Sequence, residues 1–261
     1  MTNQTDYEYS GLLATYWDLL RGDTSDWPDR CFFKTVVAES GQPVLDVGCG
    51  TGRLLLDFMI EGIDIDGVDN SPEMLAICGE KAQKLGLHPA LFQRAMETLD
   101  LPRRYRIIVV PSSSFQLVTD PANAREAMKR FFSHLESNGK LVMPFMLLSS
   151  RENTEPVVTR ETVYEGVRPE DGGLVRRSSR STYDLVNQLE HTEDNYEVIL
   201  NGEVITSEHY SRSPATRGYT QEQAVDVYRQ AGFVDIQVTS GWTFNSATHA
   251  DTIFCVLGTR P

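Results

Sequence analysis

The run VLDVGCGTG, from Val44 to Gly52, constrains what this chain can fold into more than any other stretch. Four residues suited to a strand buried on both faces lead into glycines at 48, 50 and 52, then into the apolar helical run Leu54, Leu55, Leu56 and Phe58. A strand that turns straight into a helix opens a crossover unit, and crossovers build parallel sheets. Glycine lets the turn be sharp, lets a ligand come close to the backbone, and lets the helix pack tightly behind it. The helix amino terminus that follows carries partial positive charge and free N–H groups, so the loop suits a carboxylate or a phosphate. A tight turn without a ligand satisfies the same residues, so the turn alone leaves both readings open.

The alternation continues along the chain. PVLDV, IDIDGVD, PALFQRA, RIIVVPSS and KLVMPFML read as strands. Between them lie helical stretches: TGRLLLDFMIEG, then NSPEMLAICGEKAQKLG with an Asn70/Ser71 cap and Pro72 in its first turn, then DPANAREAMKRFFSHLESNG ending at Gly139. Helical spacing also marks Leu12 to Leu20 and WPDRCFFKTVVAES, and TQEQAVDVYRQAGF is a capped helix before the strands VDIQVTS and DTIFCVLGT. From about residue 149 to 217 the pattern changes to β segments separated by turns such as PEDGG and LNGE. The prediction is an α/β chain with a doubly wound, mostly parallel sheet and an antiparallel β insertion standing over the carboxyl ends of the parallel strands.

Charge and cysteines narrow the partners. Acidic residues number 37 against 24 Lys and Arg, and a net charge of −13 repels a phosphate backbone, so nucleic acid is disfavoured. No run of about eighteen apolar residues predicts a membrane span, and MTNQTDYEYSG lacks the basic-then-apolar order of a secretory signal. Cys31, Cys49, Cys78 and Cys255 lie far apart with no C-x-x-C pair, which opposes a zinc site or a disulfide framework and places the chain in a reducing cytoplasm. No metal site is expected.

A second feature sharpens the ligand. Asp69 ends the second strand about twenty residues beyond the loop, where a carboxylate can accept both hydroxyls of a ribose. Asp66 is expected at the surface, too early to reach. The G-x-G-x-G spacing differs from the G-x-G-x-x-G of dinucleotide folds, which disfavours a nicotinamide oxidoreductase. A ribose at Asp69 and an amino-acid-like group at the glycines describe S-adenosyl-L-methionine. At VLDVGCGTG, GVDNSPEML, FQRAMETLDLP, RIIVVPSSSFQLV and LESNGKLVMPF the chain resembles the class I S-adenosylmethionine-dependent methyltransferases. Through YEVILNGEVITSEHYSR and RGYT it more loosely resembles small-molecule N-methyltransferases of the aminosugar and glycine type.

The resemblance implies a seven-stranded Rossmann-like sheet whose last strand is antiparallel. It divides the chain into N-terminal helices forming a cap or lid (1–42), a cofactor-binding core (43–148), a β insertion on the acceptor side (149–217) and a closing helix and strands (218–261). It also implies that amides of Gly48, Cys49 and Gly50 face the methionine end, with Thr51 and Gly52 completing the loop and Asp46 holding it. Asp69 would take the ribose. Asn70, Met74, Ala95, Met96 and Glu97 would surround the adenine, and Pro111, Ser112 and Ser113 would face the sulfonium. Ala95 departs from the family's common Asp, and Arg106 stands where the fourth strand commonly begins with Asp.

An amine acceptor must lose a proton to water or to a base. Among the histidines, His209, with Tyr210, lies on the insertion expected to roof the pocket; His134 is expected on an exposed helix face. Tyr16 is expected at the methionine end or the transfer site, while Trp17 is expected only to pack its helix. Phe115 and Gln116 are expected to border the acceptor, together with Ser113, His209 and Tyr210. Arg176, Arg177 and Arg180 read as a solvated β surface rather than a phosphate site. The implied activity is methyl transfer to a small molecule, at nitrogen first, with oxygen or carbon, or cofactor binding without transfer, as alternatives. The exposed edge of the insertion can pair two copies into a homodimer.

Overall fold

Strand β1 (Val44–Val47) and strand β2 (Ile65–Asp69) are buried along their whole length, as strands covered by helices on both faces must be. They form the centre of a seven-stranded sheet in the computed structural model, which describes residues 7–148 and 155–261. Residues 1–6 and 149–154, with the expected start of the insertion, lie outside the described residues.

The helix α4 (Arg53–Ile60) joins β1 to β2, and α5 (Pro72–Lys84) joins β2 to β3 (Leu91–Gln93). Strand β4 (Tyr105–Val109), helix α6 (Pro121–His134) and strand β5 (Leu135–Met146) follow. After the insertion come α7 (Gln221–Ala231), β10 (Val234–Ser240) and β11 (Ile253–Thr259). The order across the sheet is β10-β11-β5-β4-β1-β2-β3, with β11 antiparallel to both of its neighbours. The sequence order reverses between β1 and β4, which opens a crevice at their carboxyl ends.

Alternation along the strands sorts side chains into two cores. Leu45, Val47 and Ile108 point to one layer with Phe131, Phe145 and Tyr228. Val44, Ile107 and Val109 point to the other, with Phe33, Leu55 and Phe58. Caps fix where helices start: Ser71 accepts the Met74 amide, Asp120 accepts those of Ala122 and Asn123, and Thr220 with Gln223 forms a capping box.

Helix α6 stops at His134, five residues before the glycine that was expected to end it. Leu135 already pairs with Tyr105 of β4, and the ladder slips before Ile107 meets Lys140. Gly139 serves close approach: a Cβ there would lie 2.9 Å from the Glu136 carbonyl and 3.1 Å from that of Arg106. The left-handed residue is Asn138. His134 is buried rather than exposed; its Nε2 accepts the Leu101 amide at 3.0 Å and its Nδ1 bonds the Arg130 carbonyl at 2.7 Å. Asp66 is buried too, accepting from Tyr105 Oη and Arg103 Nε, both at 2.8 Å.

The insertion is a four-stranded antiparallel meander of β6 (Val157–Val167), β7 (Leu174–Asp184), β8 (Leu189–Leu200) and β9 (Glu203–Arg217). Arg176 and Arg180 pair with acids on its surface. Arg177 does not share that setting. It pairs with the buried Asp194 at 2.9 Å and lies over the rings of Tyr164 and Tyr196, because strand alternation turns it inward. The helices α1 (Gly11–Thr15) and α2 (Trp17–Arg21) wedge between this meander and α5. Tyr210 Oη donates to the Ser10 carbonyl at 2.8 Å, and the Gly11 amide donates to Glu73 of α5. Helix α3 (Pro28–Ser40) runs from this wedge into β1. Among the described residues no helix is long and apolar enough to cross a membrane.

Candidate active site

A cavity of about 370 Å³ opens at the carboxyl ends of β1, β2 and β4. Its floor is the glycine loop. Gly52 has φ +88°, and a Cβ there would lie 2.6 Å from Cys78 Sγ, so the turn requires glycine sterically as well as conformationally. Gly50, by contrast, would point a Cβ into open space, leaving its backbone accessible.

Three of the loop's amides are already bonded within the fold. Gly48 and Cys49 both donate to the Val68 carbonyl, at 2.8 and 3.1 Å, and Gly50 donates to Asp69 Oδ2 at 2.9 Å. These three amides are therefore spent inside the fold, against the polarity the glycines suggest. Asp46, 1% exposed, adds to this: its Oδ1 is buried with no hydrogen-bond partner among the described residues. Burial pushes the Asp46 carboxyl up to about 7, opposed by Arg53 and reinforced by Asp69.

Asp69 closes one end. Its Oδ1 accepts the Ser71 amide and its Oδ2 the Gly50 amide, both at 2.9 Å. A carboxylate has about four lone-pair sites, so two remain for a ligand. Burial raises its pKa, and the amides of Ser71, Gly50 and Asn70 hold it back. Asn70, Met74, Ala95, Met96 and Glu97 line the cavity beyond it, and Pro111 and Ser112 line the side above β4. Ser112 and Ser113 are both left-handed, at φ +55° and +59°, a strained pair at the mouth of the crevice.

Of the other residues expected at the site, Cys49 and Thr51 line the cavity and seven lie outside its lining. Gly52 closes the turn. Tyr16 turns away, its hydroxyl accepting from Arg168 at 3.1 Å; Trp17, expected only to pack, lines the cavity instead. Ser113 is buried beside it. Phe115 is fully buried among Phe131, Phe145 and Tyr219. Gln116 is a staple: its Nε2 donates to the carbonyls of Met146 and Arg217, and its Oε1 accepts the Met146 amide, joining both ends of the insertion to the β4 loop. His209 is exposed and its ring bonds Asn195 Oδ1 at 2.8 Å, while Tyr210 supports α1.

Residues far apart in sequence complete the cavity. Glu8, Tyr9 and Arg21 come from the amino-terminal segment and Arg212 from β9. Arg21 lies over the rings of Trp17 and Trp27 and donates to Ser112 Oγ at 3.2 Å, with no ion pair among the described residues. Burial and the neighbouring Arg53 lower its pKa. Arg53 itself is paired with Asp29. Asp18 of α2 accepts from Thr51 at 2.8 Å and from Lys81 at 3.1 Å, tying that segment down across the loop. The one sequence signal for these partners was the dense aromatic and charged run from Tyr7 to Trp27, which names no contact.

A crevice at the β1/β4 switch point, floored by G-x-G-x-G and flanked by an acidic β2 tip, defines the Rossmann-like methyltransferase fold. Residues 44–139 match the methyltransferase domain family. The chain is 30% identical over 104 residues to a putative methyltransferase of Geobacillus sp. (strain WCH70), covering 40% of this chain and 42% of that protein. Other curated relatives are likewise matched over about half their length. It is 27% identical over 232 residues to the dTDP-3-amino-3,6-dideoxy-alpha-D-glucopyranose N,N-dimethyltransferase of Streptomyces fradiae, covering 86% of this chain and 85% of that protein. The fold superposes with a TM-score of 0.72 on the crystal structure of an S-adenosylmethionine-dependent methyltransferase from Clostridium acetobutylicum ATCC 824, at 18% identity over 94% of this chain and 96% of that one.

Proposed function

We propose that this chain transfers a methyl group from S-adenosyl-L-methionine to a small-molecule acceptor, at nitrogen. The charge layout of the cavity carries the reading. Three polar groups in it lack full partnering: Asp46 Oδ1, the outer lone pairs of Asp69, and the Arg21 guanidinium. They match the ammonium, the ribose hydroxyls and the carboxylate of S-adenosylmethionine. Met74, Met96, Ala95 and Asn70 offer a mostly apolar bed for adenine. Arg21 takes over the anion-binding role that the loop amides, already bonded, cannot fill.

The bound sulfonium supplies an electrophilic methyl carbon and departs as a neutral thioether, so the protein needs no acid for the leaving group. The chain's own task is to hold the acceptor in line and exclude water, which is worth several powers of ten in rate. Residues 1–42 act as the cap, tied by Asp18 to Thr51 and by Ser10 to Tyr210. The insertion forms the acceptor side, with Arg212 in the cavity. Nitrogen is favoured because the aminosugar N,N-dimethyltransferase aligns through the insertion as well as the core.

We place the chain in the cytoplasm, where its four free thiols persist, and pair two copies through the open edge of β6, which among the described residues bonds only to β7. Incubation with methyl-labelled cofactor and a panel holding glycine, an amino-sugar nucleotide, a catechol and a carboxylate tests the activity. Label on an amine is the expected outcome; label on the catechol or carboxylate alone, or on none, overturns the nitrogen assignment.

A further inference from the structure

The cavity contains one carboxylate that the cofactor reading leaves over. Glu8 lies at a bend before α1, and its Oε2 pairs with Arg212 of β9 at 2.7 Å. Its side chain is 17% exposed, and its other oxygen has no bond among the described residues. No histidine or lysine lines the cavity among the described residues. The other acids there are committed. Asp46 is assigned to the cofactor's ammonium, Asp69 accepts two amides, Asp120 caps α6, and Glu97 follows Ala95 and Met96 on the side assigned to adenine.

Beside Glu8, the rings of Tyr9 and Trp17 meet edge to face at 4.9 Å and both line the cavity. Arg21 already lies over the Trp17 ring, which leaves Tyr9 as the ring beside the carboxylate; a carboxylate next to an aromatic ring forms a site for an ammonium group, attracted by charge and by the ring quadrupole. We propose that Glu8 receives the acceptor as an ammonium ion at the transfer point and takes its proton, an inference that rests on the methyltransferase reading above. The N–H bond breaks, an O–H bond forms on the Glu8 carboxyl, and the electron pair left on nitrogen becomes the nucleophile. The proton later passes from Glu8 to water.

The surroundings suit that task. Burial raises the Glu8 carboxyl to about 7, near the working pH of a cell. Arg212 of β9 and Arg177 of β7 pull it down, while Asp194 and Glu190 of β8 push it up. An ordinary surface carboxylate would be a weaker proton acceptor by more than two pH units.

The probe is the cofactor analogue in which the methylsulfonium is replaced by an aminomethine carbon, placing a primary ammonium where the methyl would sit. S-adenosylhomocysteine, which lacks that group, is the control. Wild type should bind the amine analogue at least tenfold more tightly than the control at pH 8, and the preference should fade as pH falls below about 7. Glu8→Gln should lose the preference tenfold or more, keep its affinity for the control within twofold, and show no pH dependence in the ratio; Glu8→Asp should recover part of it. An unchanged ratio in Glu8→Gln overturns the inference, and so does loss of both ligands together, which would make Glu8 a structural prop. If wild type binds neither ligand, the methyltransferase reading itself fails.

Discussion

Replacing Asp46 by Asn separates the two costs that this carboxylate imposes. The side chain is 1% exposed, one oxygen has no partner among the described residues, and its carboxyl is carried from 3.8 to about 7 by burial. A folded-state pKa raised above the unfolded value favours the native state at low pH, and that advantage is lost as pH rises through about 7. At about 1.4 kcal/mol per pH unit, the raised pKa of Asp46 lowers native stability by roughly 2 kcal/mol at pH 5, where only the unfolded chain ionises, and by roughly 4 kcal/mol at pH 8. Asn keeps the shape and removes the charge. Urea unfolding of the ligand-free proteins should show Asp46→Asn gaining on wild type by roughly 2–3 kcal/mol between pH 5 and pH 8. Calorimetry at pH 8 should show the same variant binding S-adenosylmethionine on the order of tenfold or more weakly, since a charged hydrogen bond to the ammonium is worth roughly 1.5–3 kcal/mol. A stability difference that stays constant from pH 5 to pH 8 would refute the desolvation argument; unchanged affinity would refute the ammonium contact.

Two further outcomes follow from the placement of residues. Gln116→Ala removes three hydrogen bonds that join Met146 and Arg217 to the β4 loop, so the unfolding free energy should drop by roughly 2–4 kcal/mol, and hydrogen exchange should rise at both ends of the insertion. His209→Asn, at an exposed position outside the cavity, should leave kcat and KM within twofold of wild type in the labelled-methyl assay.

The sequence made legible what is encoded locally. Strand, glycine turn, helix and acidic strand tip lie within thirty residues of one another, and run length and flanking glycines, added to period, separate a buried parallel strand from a helix. The same period would have separated His209 from Tyr210: neighbours on a strand face opposite ways, and Tyr210 and Arg212 share the inner side while His209 faces out. Gly139 misled because glycine serves both helix ends and close approaches, and only the pairing of Leu135 with Tyr105 tells which. The amide polarity of the loop was hidden for another reason. Gly48 and Cys49 spend their N–H groups on Val68, a bond that depends on how β1 and β2 align. Glu8, Arg21 and Arg212 could not be assembled from sequence at all, since Glu8 and Arg212 are at opposite ends of the chain and meet only when the insertion folds over the crevice.

In the proposed function, one S-adenosylmethionine molecule is held between the glycine loop and the tip of β2. Calorimetric titration of wild type and Asp69→Ala with that ligand measures it directly. Micromolar binding by wild type, weakened 10- to 100-fold in the variant by loss of the two ribose hydrogen bonds, is the predicted result; equal affinity in the two proteins, or no binding by wild type, would contradict it.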